Sequence, residues 1–328
     1  MKLFKDQFIV VTGAAGFIGS CVVRTLNDRG FSNLILVDEL GTSESWKNLV
    51  GKQFIEIVPK DDLFQWLQGK ESAVEAMIHL GACSSTVENN ASYLLENNTR
   101  YSMSLAEYAL THGHRFIYAS SAATYGDGSH GFSDEHDRLE SLRPLNMYGY
   151  SKHMFDLWIK NQGCLDKVTG LKYFNVYGPN EYHKGRMSSA ICHFVDQIQR
   201  EGEVRLFKSS EPDKYSDGGQ LRDFIYVKDA ARMTCDLLTK EAFGIYNVGT
   251  GAPHTWNDLA KVVFKGLNKP EAIRYIDMPK DLMGKYQNYT AADMQKLSKA
   301  FEGSLPLTPF DDAVVEYVED YLVPKRYW

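Results

Sequence analysis

The sequence predicts an α/β protein built on a doubly wound parallel sheet, with a smaller mixed α/β lobe toward the C-terminus. Three observations carry that expectation. Short apolar runs rich in Val and Ile recur through the first half and alternate with longer helix-like segments, the pattern of a sheet covered by helices on both faces. The first run leads straight into a glycine-rich turn and a helical stretch. After Lys152 the alternation loosens, and strand-like runs are interrupted irregularly.

Phe8 to Thr12 (FIVVT) reads as a buried parallel strand. Gly13, Gly16 and Gly19 follow in GAAGFIG and open the helix. Glycines there permit a tight turn and close backbone approach, and a helix N-terminus attracts a pyrophosphate. The next strand, NLILVD, ends at Asp38, nineteen positions after Gly19, where a carboxylate can accept hydrogen bonds from an adenosine ribose. A glycine triplet alone is common in turns; strand, glycines, helix, strand and acid in this order point to a Rossmann-like dinucleotide site. Glu39 follows the acid, and the loop GTSESWKN offers only Lys47 as a cation. Carboxylates there repel a 2′-phosphate, so the residues themselves favour NAD over NADP.

FIEIV, AMIHLGA and RFIYASS continue the strands. HLGACSS, residues 79 to 85, places small residues where backbone can approach a cofactor, and Asn97 lies on the next helix. RFIYASS ends at Ser121, and Tyr148 and Lys152 follow 27 and 31 positions later, within YGYSK. A Tyr and a Lys four apart often share a helix face for packing alone. Downstream of a dinucleotide site they suggest hydride chemistry instead: hydroxyls hold a substrate alcohol or carbonyl, and the ammonium lowers the phenol's pKa from about 10.

LKYFNVYG, EVRLF, RDFIYV, GIYNVG and AIRYIDM read as further strands, with helices near residues 187–201, 228–240 and 255–267. Thr255 with Asp258 predicts a helix N-cap, and Thr308 before Pro309 another. The polar segment 208–221 reads as a loop, with Phe207 and Arg222 placed to bracket a nucleotide. The expected division is a dinucleotide-binding domain over 1–170, with 171–185 and 222–250 contributing, and a mainly substrate-binding lobe over 186–328.

Hydrophobic residues make up 44% and charged residues 24% of the 328 positions, as in a globular protein. A net charge of −6 gives no general basic field for nucleic acid. No apolar stretch approaches the roughly 18 residues of a membrane span, and MKLFKDQ has no signal-peptide core, so a cytoplasmic location is expected. The five cysteines are scattered, without zinc or disulfide spacing, and no metal site is expected.

GxxGxxG, Asp38, SSAATYG and YGYSK together resemble the extended short-chain dehydrogenase/reductase superfamily over nearly the whole chain. Within it, ACSSTVEN, YASSAATYGD, PLNMYGYSK, YFNVYGPNEYHKGRMSS and GKYQNYTAAD resemble the ADP-glyceromanno-heptose 6-epimerase family, HKGRM and YFNVYGP being the most discriminating. The resemblance implies interconversion of ADP-heptose epimers for the lipopolysaccharide core, a tightly held NADP and a homopentamer. It places Ser121, Tyr148 and Lys152 on the catalytic positions and Lys184 on a second acid/base. Phe17, Ile18, Asp38, Glu39, Lys60, Leu80, Gly81, Ala82, Cys83, Ser84, Asn97 and Val176 match cofactor contacts, alongside the glycines, Tyr148, Lys152 and Lys184. Ser121, Asn175, Arg186, His193, Phe207, Lys208, Ser209, Ser210, Arg222 and Tyr286 match positions that hold the ADP-sugar. The chain departs from the family at Ser45, where a basic residue usually meets the 2′-phosphate, at Asn180 and Arg186, and in a longer 208–221 loop.

Inverting a carbon without a neighbouring carbonyl by proton abstraction would leave an unstabilised carbanion; transient oxidation avoids it. A 4-epimerase of another nucleotide sugar shares the first half of these motifs but not HKG. A 4,6-dehydratase is disfavoured because Ala122 and Ala123 stand where its acidic pair belongs. A non-catalytic dinucleotide sensor is the alternative from a different class, since fold alone does not establish function.

Overall fold

The computed structural model describes residues 3, 5–279 and 287–328. The central sheet contains β1 (Phe8–Thr12), β2 (Leu34–Val37), β3 (Glu56–Val58), β4 (Val74–His79), β5 (Arg115–Ser121) and β6 (Val168–Tyr173). Three two-stranded pairs and a seventh central strand follow. β7 (Asn175–Tyr177) pairs with β10 (Phe224–Tyr226), β8 (Val204–Phe207) with β13 (Ile273–Ile276), and β9 (Leu221–Arg222) with β12 (His254–Thr255). The remaining strand, β11 (Gly244–Val248), returns to the central sheet beside β6.

The central order is β11-β6-β5-β4-β1-β2-β3, and every pairing is parallel. Burial on both faces explains the apolar runs. Ile9 and Val11 pack into one core with helices Phe17–Asp28 and Val227–Asp236, while the intervening Val10 joins the opposite core with helices Tyr101–His112 and Met147–Asn161. This is the period-two alternation of a strand covered on both sides.

Connections run outward from β1 to β2 and β3, then cross back to β4 on its other side. That reversal opens a crevice beyond the C-terminal ends of β1 and β4, where ligands bind in open α/β sheets. Gly13 ends one strand at the crevice and Leu80–Gly81 the other.

Thr255 forms a full capping box with Asp258 at helix Trp256–Gly266. Thr308 does not cap the helix Phe310–Glu316. Its amide and hydroxyl donate to Asp229 instead, at 2.7 and 2.9 Å, so a partner across the fold takes the group that local sequence assigned to the helix end.

Candidate active site

The crevice opens into a cavity of about 560 Å³, joined at Gly13, Asp38, Gly81 and Ala82 to a smaller one of about 240 Å³. Glycine is required at the junction. Gly13 has φ +67°, and a Cβ there would lie 2.6 Å from the Gly81 amide nitrogen; a Cβ on Gly19 would lie 2.0 Å from the Gly13 carbonyl oxygen. The absence of side chains lets strand ends and helix close together, so the N-terminal residues of helix Phe17–Asp28 line the cavity with the positive end of the helix. Asp38 accepts from the Ala15 amide at 2.7 Å and from the Glu39 amide at 2.8 Å. Burial raises its pKa, and these hydrogen bonds oppose the rise.

Around the smaller cavity, the Lys60 amide donates to Glu39 at 3.1 Å and its ammonium to Asn97 at 2.9 Å. Cys83 donates its amide to buried Asn98 and is a free thiol. These groups form a polar-edged slot next to the Asp38 carboxylate. The backbone cradle, the helix terminus and the acid at the end of β2 fit a dinucleotide: Gly13–Gly19 toward its pyrophosphate, Asp38 toward a ribose, and the smaller cavity toward a planar base.

Ser121 ends β5, and its hydroxyl accepts from the Ala123 amide at 3.1 Å. Tyr148 enters the first turn of helix Met147–Asn161, capped by Asn146 through the Gly149 amide. One turn on, Lys152 is 4% exposed and donates to the Ala119 carbonyl at 2.9 Å. All three line the large cavity.

The expected lowering of Tyr148 by Lys152 is not what this arrangement produces. Burial pushes the phenol up, the Ser121 hydroxyl bond opposes that rise, and the Lys152 ammonium is directed at Ala119. Burial also brings Lys152 down to about 8, against the field of Asp156.

Lys184 reaches the same cavity from the turn Tyr182–Met187, with its ammonium 5.1 Å from the Phe17 ring centroid. Burial lowers its pKa, while Glu181 and Cys192 act in the opposite direction. Glu181 is fully buried and anchors the turn: it accepts from the Ser189 amide at 2.5 Å, the Ser189 hydroxyl at 2.6 Å and the Tyr317 hydroxyl at 2.9 Å.

Phe17, Ile18, Leu80, Ser84, Asn175 and Val176 also line the large cavity. Arg186 is exposed, and His193 meets the Ser188 hydroxyl at 3.4 Å. Neither is among the lining residues, and the same holds for Phe207, Lys208, Ser209, Ser210 and Arg222. Lys208 pairs with Asp277 at 2.9 Å, Ser209 donates its amide to Asp217, Ser210 meets Asn288 at 3.5 Å, and Arg222 lies over the Trp256 ring at 5.6 Å. Tyr286 lies outside the described residues.

Sequence reasoning missed several wall residues. His183 and Met187 flank Lys184 and Gly185 in HKGRM, so proximity to that motif was an available signal. Phe224 and Trp256 had none: they arrive from distant elements and pack edge to face at 5.3 Å, and the Trp256 indole nitrogen is buried without a hydrogen-bond partner.

A profile of the NAD dependent epimerase/dehydratase family matches residues 9–249. A protein of Nitratidesulfovibrio vulgaris named ADP-L-glycero-D-manno-heptose-6-epimerase is 51% identical over 95% of this chain and 97% of its own. One of that name from Fusobacterium nucleatum is 41% identical over 97% and 98%. Among solved structures, the ADP-L-glycero-D-manno-heptose-6-epimerase of Helicobacter pylori superposes with a TM-score of 0.80 at 24% identity over 96% of both chains. The UDP-glucose 4-epimerase of Thermus thermophilus, in complex with NAD, gives 0.75 at 25% identity over 98% and 100%. The chain belongs to the NAD dependent epimerase/dehydratase family, and within it groups with the ADP-L-glycero-D-manno-heptose-6-epimerases.

Proposed function

We propose that this protein is an isomerase that converts ADP-D-glycero-D-manno-heptose to its L-glycero epimer by inverting carbon 6, a step that serves lipopolysaccharide core heptose synthesis. The observation that supports it best is the approach of two proton-transfer groups, Tyr148 and Lys184, to one cavity from separate elements. A sugar oxygen must be met in two orientations when its carbon is inverted, and one fixed base serves only one of them. A bound nicotinamide dinucleotide supplies reversible hydride acceptance at the inverted carbon.

The chain's own groups do the rest. Tyr148 takes or returns the hydroxyl proton in one orientation, and Ser121, on the same wall, steadies the oxygen. Lys184 does so in the other, and the burial that lowers its pKa raises the fraction of free amine. Lys152 would hold the nicotinamide ribose. The lobe built from β8, β9, β12 and β13 takes the ADP part of the substrate, with Phe224 and Trp256 forming an aromatic wall.

For the cofactor, the residues support NAD. Lys47 is occupied by Glu44 at 2.6 Å, the Ser45 hydroxyl is tied to Ser43 at 2.8 Å, and Glu39 stands beside Asp38, an acidic rim that disfavours a 2′-phosphate. Mass spectrometry of the dinucleotide that copurifies is expected to find NAD; finding NADP would overturn that preference.

The activity test is turnover of purified protein with ADP-heptose, UDP-galactose and dTDP-glucose in deuterated water. Epimerisation of ADP-heptose alone, without deuterium at carbon 6, is expected. Turnover of UDP-galactose instead would favour the 4-epimerase reading, and deuterium incorporation would contradict return of an internal hydride.

A further inference from the structure

Beneath the Ser121–Tyr148–Lys152 wall lies a buried ion pair that the proposed chemistry does not use. Asp156 and Lys172 are both fully buried and meet at 2.6 Å. Asp156 sits one helical turn beyond Lys152, while Lys172 lies on β6 directly beside Ser120 of β5. Asp156 also accepts from the Ser120 hydroxyl at 2.7 Å and the Tyr118 hydroxyl at 3.0 Å. Lys172 donates to the Thr124 hydroxyl at 2.7 Å, which donates in turn to the Ser121 carbonyl at 2.8 Å.

The pair therefore grips Ser121 from both sides, through Ser120 before it and Thr124 after it. It also ties the helix carrying Tyr148 and Lys152 to the same strand. A buried ion pair is weak evidence for stability, because apolar residues of similar size often serve as well. Geometry that joins the three catalytic candidates is a more specific use of the desolvated charges.

We propose that Asp156 is a positioning residue for this site, locking helix Met147–Asn161 to β5 so that Ser121, Tyr148 and Lys152 keep their mutual placement. The assignment rests on the functional reading above. The titratable groups that act on Lys152 are Asp156 on its own helix and His79 on β4. His79 is held neutral, its pKa brought down to about 3 by burial, so it supplies no competing charge. Burial lowers Lys152 and the Asp156 field raises it.

The test compares Asp156→Asn/Lys172→Met, which removes both charges together, with Asp156→Glu, which keeps the charge but lengthens the arm. Melting curves and bound-dinucleotide content accompany kcat, KM and the pH profile. The double variant is expected to fold and to lose about tenfold or more in kcat with KM little changed. Asp156→Glu is expected to lose kcat as well, because the longer arm shifts the helix against β5. Wild-type kcat in the folded double variant, or wild-type kcat in Asp156→Glu, would overturn the proposal. Lys152→Met, run alongside, separates the two readings: if it too keeps full kcat, the catalytic role given to this helix is what fails.

Discussion

The two sides of the cavity position their proposed proton-transfer groups by different means. On one side, Ser121, Tyr148 and Lys152 come from a strand end and a capped helix, held in register by parallel pairing and by the Asp156–Lys172 pair. On the other, Lys184 sits in an irregular turn that contains Gly185 at φ 53°. That turn depends on long-range partners. Glu181 reaches Ser189 and Tyr317, Asn180 exchanges hydrogen bonds with Trp328 and donates to Ser20, and Asn48 links the Asn180 and Ala15 carbonyls at 3.0 and 2.9 Å. Regular structure fixes Tyr148 locally, whereas Lys184 is placed largely by contacts with parts of the chain more than a hundred residues away.

The sharpest break of this comparison is Tyr148→Phe, which keeps the ring and removes the proton-transfer group. Turnover is expected to fall by about 10²–10⁴-fold with the melting temperature and bound cofactor unchanged; substantial retained activity would remove Tyr148 from the chemistry. Lys184→Met is expected to cost on the order of 10²-fold and to erase the limb on which activity rises as the ammonium loses its proton. That limb belongs below the ordinary lysine range, because burial lowers Lys184. Unchanged epimerisation would make Lys184 a solvated loop residue.

A smaller effect separates the two modes of positioning. Glu181→Ala strands the Ser189 and Tyr317 donors, at about 1–3 kcal/mol for buried groups left unsatisfied. Hydrogen exchange is expected to quicken over residues 182–189 and to stay unchanged over 147–152; equal quickening on both sides would show that the turn is not held separately. The smallest is the control Thr255→Ala, which removes a helix cap at about 1 kcal/mol and should lower the melting temperature while leaving kcat in place.

Legibility followed the range of the interactions. The glycine cradle, Asp38 and the Ser121–Tyr148–Lys152 spacing were readable because a strand, a turn and a helix carry them within one local pattern. The family resemblance pointed to Lys184, yet nothing nearby in sequence announces Glu181's hold on Tyr317 or the indole of Trp256 in the wall. Thr308 shows the same limit: its local pattern reads as a cap, and Asp229, 79 positions away, takes the hydroxyl instead. Lys152 shows it in electrostatics. Spacing placed it beside Tyr148, while the Ala119 carbonyl and burial decided where its charge points and how readily it is held.

By itself, the sequence determined the alternating α/β architecture, the glycine turn and the cavity wall of Ser121, Tyr148 and Lys152, because hydrophobic period, backbone freedom and helical spacing act over a few residues. Only the tertiary structure decided that Asp156 meets Lys172, that Glu181 braces the Lys184 turn, and that Phe224 and Trp256 close the cavity. Those outcomes depend on desolvation and on hydrogen-bond partners drawn from separate elements, which a linear order of residues does not specify.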